Sequence, residues 1–142
     1  MMNKPKPDQR KQKHHAQGLI EFALILPLLL LLILGAMDIG RLFFTKIVIT
    51  NAAREGANYL AYFPSDEAGS FSAIEDEAAS SNVTVVAGEV GFLYDPPSAE
   101  EYDSVGVSIT KTVDLVFDDI LQFLGLLNGQ VDLNSTVWMR VQ

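Results

Sequence analysis

Residues 16–37, "AQGLIEFALILPLLLLLILGAM", hold one charge, Glu21, at the front of an otherwise apolar run. From Leu19 to Met37 the run makes about 28 Å of helix at ~1.5 Å per residue, close to the ~30 Å hydrocarbon thickness of a bilayer. The expectation is a membrane-spanning helix. A bilayer anchor needs no carboxylate, and ionisable groups in such segments are costly enough to suggest a function. Glu21 is therefore the first candidate functional residue.

Charge orients the segment. The net charge of −8 over 142 residues is unevenly spread. Residues 1–16 carry five Lys/Arg and one Asp, 5 − 1 = +4; the remainder carries five Lys/Arg and 17 Asp/Glu, 5 − 17 = −12. Basic residues flank spans on the cytoplasmic side, so the N-terminus is expected inside and the acidic bulk outside. An acidic bulk lacks the basic footprint of a nucleic-acid binder. Cysteine is absent, so the exported part must fold without disulfides. The apolar run exceeds the 7–15 residues usual in a secretory signal, and no A-x-A-like site follows it.

The chain divides into a basic cytoplasmic leader over 1–16, expected to lack structure, a transmembrane and extended amphipathic helix over 17–63, and an extracytoplasmic α+β domain over 64–142. No strong stop signal appears until "FPSDEAGS", so residues 19 to 63 read as one helix, with a kink expected at Pro27. Residues 65–81 read as a short acidic helix with Ser65 as N-cap. "NVTVVAGEVGFLY" reads as a strand with a bend at Gly88 or Gly91. "SVGVSITKTVDLVF" and "QVDLNSTVWMRVQ" alternate as strands, and "DDILQFLGLLNG" between them reads as a helix with Asp118 and Asp119 in its first turn. The result is a small antiparallel sheet of about three strands with helices on one face. Residues 64–142 are expected to fold as a soluble unit whose core includes Val107, Ile109, Val137 and Met139.

Small residues recur four apart on the long helix: Ala36 with Gly40, Ala52 with Gly56, and Ala53 with Ala57. Such faces let helix backbones approach closely. Asp38 and Arg41, three apart, can pair on one helix face. Arg54 and Glu55 are adjacent, point in different directions, and suit two different neighbours. Catalysis has little support, because His14 and His15 are the only histidines and both lie in the leader. The exported part therefore lacks the usual general base and the usual zinc ligands. No cofactor, metal or enzymatic activity is expected.

"QGLIEFALILPLLLLLILGAMDIGRLF" followed by "ITNAAREGANYLA" resembles the TadE-like proteins of the tight-adherence (Flp, type IVb) pilus system. The resemblance rests on Glu21-Phe22-Ala23, Pro27, Gly35 to Arg41 and Asn51 to Ala57. It covers roughly residues 16–62. It implies a pilin-like fold and a minor pilin or pseudopilin-like subunit, trimmed by a prepilin peptidase on the cytoplasmic side. Implied partners are that peptidase, platform membrane proteins, other pilin subunits and the bilayer, in a helical or hetero-oligomeric assembly. The resemblance puts the cut between Ala16 and Gln17, which makes Glu21 the fifth residue of the trimmed chain. The family usually has Gly before the cut; Gly18 is the nearby glycine, but cutting after it would make Glu21 the third residue. Glu21 would then meet the freed amine of a neighbouring subunit. The alternative is an uncleaved single-pass protein whose outer domain binds a ligand or partner.

Overall fold

A computed structural model describes the backbone of residues 9–95, 103–116, 125 and 129–142, and side chains from residue 17 onward. Helix α1 spans Gln9–Tyr62, helix α2 Glu67–Ser80, and three strands follow: β1 Val90–Asp95, β2 Ser104–Asp114 and β3 Gln130–Arg140. The fold is α+β, with an antiparallel sheet in the order β1-β2-β3. Two compact units are present, residues 1–37 and 38–142.

In the first unit most apolar side chains are exposed. Leu19, Leu24, Leu28 and Leu32 are each about two-thirds exposed or more. Residues 17–62 are long and apolar enough to cross a membrane. The helix already begins at Gln9, although the dense charge and two prolines of the leader imply no regular structure up to residue 16. Pro27 sits inside it. Its ring removes one backbone donor, and membrane helices tolerate this because the freed groups find partners nearby.

The second unit is built on the alternation of its strands. On β2, Val105, Val107 and Ile109 are fully buried, while Thr110, Thr112 and Asp114 face out. Val137 and Met139 of β3 pair with Val107 and Val105 and are partly buried against the same core. The inner face is completed by α1, whose Val48, Ile49, Ala52, Ala53, Ala57, Leu60 and Ala61 recur at helical spacing and are buried. These are seven of the thirteen buried apolar residues among those described. Fully burying a residue such as Ile49 or Leu60 is worth about 1.5–3 kcal/mol. The C-terminus closes on this helix, where the Gln142 N–H donates to the Ala61 carbonyl at 2.9 Å.

Helix α2 lies against α1 at Gly56. A Cβ there would sit 2.5 Å from Ile74 Cγ1 and 2.6 Å from its Cδ1, and Ser70 Oγ donates to the Gly56 carbonyl at 2.9 Å. Its N-cap is Asp66, not Ser65: Asp66 Oδ1 accepts from Gly69 N at 2.9 Å, and Oδ2 accepts from the Tyr59 hydroxyl at 2.8 Å. Either residue type can cap, but Tyr59 of α1 supplies Asp66 with a second donor. The helix ends at Ser80 with Ser81 as C-cap, and in the turn that follows Asn82 has a φ of 57°, in the left-handed region that Asn tolerates better than most residues.

The first strand is shorter than its sequence suggests. Val83 and Val85 alternate inward, but residues 82–86 form no ladder. A turn of 3-10 helix at Ala87–Glu89 precedes β1. Glu89 explains that turn, since its carboxylate accepts from the Val86 N–H at 3.1 Å and from Lys111 Nζ at 2.8 Å. Strand β2 likewise stops at Asp114 rather than Phe117. The helix expected over "DDILQFLGLLNG", with Asp118 and Asp119, lies outside the described residues.

Candidate assembly site

The two charged groups of the apolar exit, Asp38 and Arg41, are engaged within the second unit. The Asp38 side chain is almost wholly buried. Its Oδ1 accepts from the Val116 N–H at 2.8 Å and lies 3.7 Å from Arg41 Nη1. Arg41 Nη1 also donates to the Asp114 carbonyl at 3.5 Å. The pair is thus a clasp: it satisfies backbone groups where β2 ends, and holds that strand end to α1. Asp38 Oδ2 is buried without a partner among the described residues. One turn on, Lys46 Nζ donates to the Asn134 carbonyl, and Thr50 Oγ1 accepts from Ser135 Oγ at 3.0 Å. These bonds fix the helix along β3.

Of the small residues, Ala52, Ala53, Gly56 and Ala57 are buried inside the unit. The helix packing they serve there is the chain's own, against α2 and the sheet. Gly40 is exposed, and a Cβ on it would meet nothing within 4 Å. Ala36 is exposed and Gly35 partly so, both in the first unit. Arg54 and Glu55 are exposed and make no ion pair among the described residues. They leave one positive and one negative group presented outward from a rigid, packed helix.

Glu21 and Phe22 are both exposed on the first unit. Gln17 Nε2, one turn before, donates to Glu21 Oε1 at 3.2 Å. A neutral amide at that distance leaves most of the carboxylate's acceptor capacity unused. Ala16, Gln17 and Gly18 follow one another within α1, and a Cβ on Gly18 would meet nothing within 4 Å.

The clasp is what sequence reasoning missed. Asp38 three before Arg41 signalled a pair, but its bond to Val116, 78 positions away, left no local trace. Among the described residues no group of three or more His, Cys, Asp or Glu is arranged to hold a metal.

Comparison with curated proteins and with solved structures gave no match. What does match is the stretch that carries the carboxylate, the clasp and the small-residue block: residues 16–58 fit the family model described as TadE-like protein.

Proposed function

We propose that the chain is a minor pilin or pseudopilin-like subunit of a Tad-type pilus apparatus, held in the membrane with its N-terminus inside before it joins an assembly. The TadE-like match over residues 16–58 carries this reading, and the family points to a Tad pilus-associated, pseudopilin-like protein rather than an enzyme. Its partners are other pilus components: pilin subunits, platform membrane proteins and a prepilin peptidase. Glu21 is the assembly residue. Trimming between Ala16 and Gln17 removes a leader of charge +4 and frees an amine beside the apolar run. Amine and carboxylate each cost several kcal/mol to desolvate, and recover it only by pairing. In an assembly the carboxylate of one subunit can meet the freed amine of the next.

If Glu21 receives a neighbour's amine, Glu21→Gln leaves a desolvated ammonium unpaired, a cost of roughly 3–5 kcal/mol per contact. At ~1.4 kcal/mol per tenfold, association weakens more than a hundredfold. The variant should insert normally and fail to co-purify with other pilin subunits. Wild-type recovery would reduce Glu21 to a helix-cap acid, worth about 0.3–1 kcal/mol.

One observation favours the uncleaved, singly anchored alternative. The Ala16–Gln17 bond lies inside α1, so a peptidase must open the helix locally to reach it. Mass spectrometry of the mature N-terminus separates the two readings: Gln17 as first residue supports processing, and an intact leader refutes it.

A further inference from the structure

The apolar surface does not stop at Met37. In the second unit Ile39, Phe43, Phe44 and Ile47 are each more than half exposed, although this unit has a core and an acidic surface. Beside them lies an open apolar groove of about 300 Å³, lined by Ile39, Leu42, Phe43, the stem of Lys46, and Leu133 of β3. That volume falls at the lower end of small-ligand pockets, about 300–1,000 Å³. Of the five basic residues after position 16, Arg41 and Lys46 fall in this same ten-residue stretch, while its one acid, Asp38, is buried.

We infer that this face is a phospholipid site: an acyl chain lies in the groove between α1 and β3, and the lipid phosphate meets Lys46. The inference rests on the membrane reading above. The charge pattern selects the occupant, because a phospholipid joins an apolar chain to an anionic head, and the groove joins an apolar floor to an ammonium. Lys46 Nζ spends one bond on the Asn134 carbonyl, and an ammonium has three donors. The lipid thus ties this face of the folded unit to a bilayer.

The absence of cysteine makes a direct test available. Single variants Phe43→Cys, Leu133→Cys, Ser72→Cys and Leu28→Cys of the full chain are labelled with an environment-sensitive dye. They are reconstituted in vesicles of phosphatidylcholine and phosphatidylglycerol carrying nitroxide-labelled lipid. Labels at 43 and 133 should be quenched best by nitroxide near the headgroup, the label at 28 best by nitroxide deep in the acyl region, and the label at 72 hardly at all. Lys46→Glu should lower quenching at 43 at least about twofold in the anionic vesicles, as expected for losing a basic contact with an anionic surface, while Lys46→Arg retains it. Quenching at 28 with none at 43 and 133 overturns the lipid site and leaves the membrane reading standing. No quenching at 28 overturns both. Disulfide formation between copies at position 43, without quenching, assigns the groove to a second copy instead.

Discussion

One helix runs through two regimes. Over residues 19–37 α1 carries large apolar side chains around its whole circumference, and nearly all are exposed. Over residues 48–61 it carries mostly small ones, and the inward-facing set is fully buried. Hydrophobicity alone would predict the reverse. A side chain is buried by a partner surface, and the large residues of the first unit find none among the described residues, an exposed apolar surface of the kind that lipid or a neighbouring helix covers. The small residues of the second are buried because their size lets α2 and the sheet come close. Low side-chain bulk, rather than high hydrophobicity, marks where this helix joins the fold.

The most severe way to break the comparison is to cut between the regimes. A fragment of residues 38–142 keeps all thirteen buried apolar residues, and should unfold cooperatively in a thermal melt followed by circular dichroism. A fragment of residues 64–142 loses the seven from α1 and should show no cooperative transition. This differs from what the strand pattern alone implies for 64–142, because alternation reveals that a strand has an inner face but not which element covers it. A cooperative melt of the shorter fragment would show that α1 is dispensable to the core.

Point substitutions sharpen the contrast at a smaller scale. Ile74→Ala removes a fully buried side chain from the α1–α2 contact and should cost about 2–5 kcal/mol in fragment 38–142. Gly56→Ala places a methyl against Ile74, and overpacking of that kind costs typically about 1–3 kcal/mol. Denaturant midpoints measure both. In the full chain in detergent, Leu28→Ala should leave the melting of the second unit unchanged, because Leu28 is exposed on the first. An equal loss from Leu28→Ala would show that the regimes are not separate.

How far the sequence could be read follows from the range of each signal. The apolar run, the strand alternation of β2 and β3, and the family resemblance are local patterns; the structure carries the first two, and the family match carries the third over residues 16–58. That the strands form one antiparallel sheet agrees with this alternation and its inward-facing valines, and neighbours in the sheet are neighbours in sequence. What escaped depended on partners far away in sequence. Glu89 makes a turn where residues 82–89 read as strand because Lys111 and the Val86 N–H both reach it. Asp38 is buried because the end of β2 needs an acceptor. Tyr59 moves the α2 cap from Ser65 to Asp66, and no pattern within residues 65–81 could reveal a donor on α1. Whether Glu21, Arg54 and Glu55 meet neighbours is absent from both the sequence and a single chain, since such partners belong to an assembly.

The smallest expected effect belongs to that cap, which ties α2 to the buried regime of α1 through solvent-exposed atoms. The Gly69 N–H, and after it the Tyr59 hydroxyl, hold the Asp66 carboxyl below its ordinary range. The same bond, helped by desolvation and the nearby negative charge, raises the Tyr59 hydroxyl. A carboxyl depressed in the folded state stabilises fully above its unfolded value of about 3.9, and the contribution is lost as pH falls through the lower folded value. A tyrosine raised in the folded state stabilises fully below about 10, and loses that contribution as pH rises through the higher folded value. Between about pH 5 and 9 both are present, so the cap should contribute a plateau there, falling on either side. Asp66→Asn can still accept from Gly69 but does not titrate at acid pH, so its melting temperature relative to wild type should rise as pH drops below 4. Tyr59→Phe removes the alkaline arm in the same way. Both sites are exposed, so the shifts should be small and also reduced by salt. If the wild-type and Asp66→Asn melting curves stay parallel from pH 7 to 2, the titrating carboxylate makes no contribution in solution, and the buried contacts of Ile74 and Ser70 at Gly56 hold α2 to the helix without it.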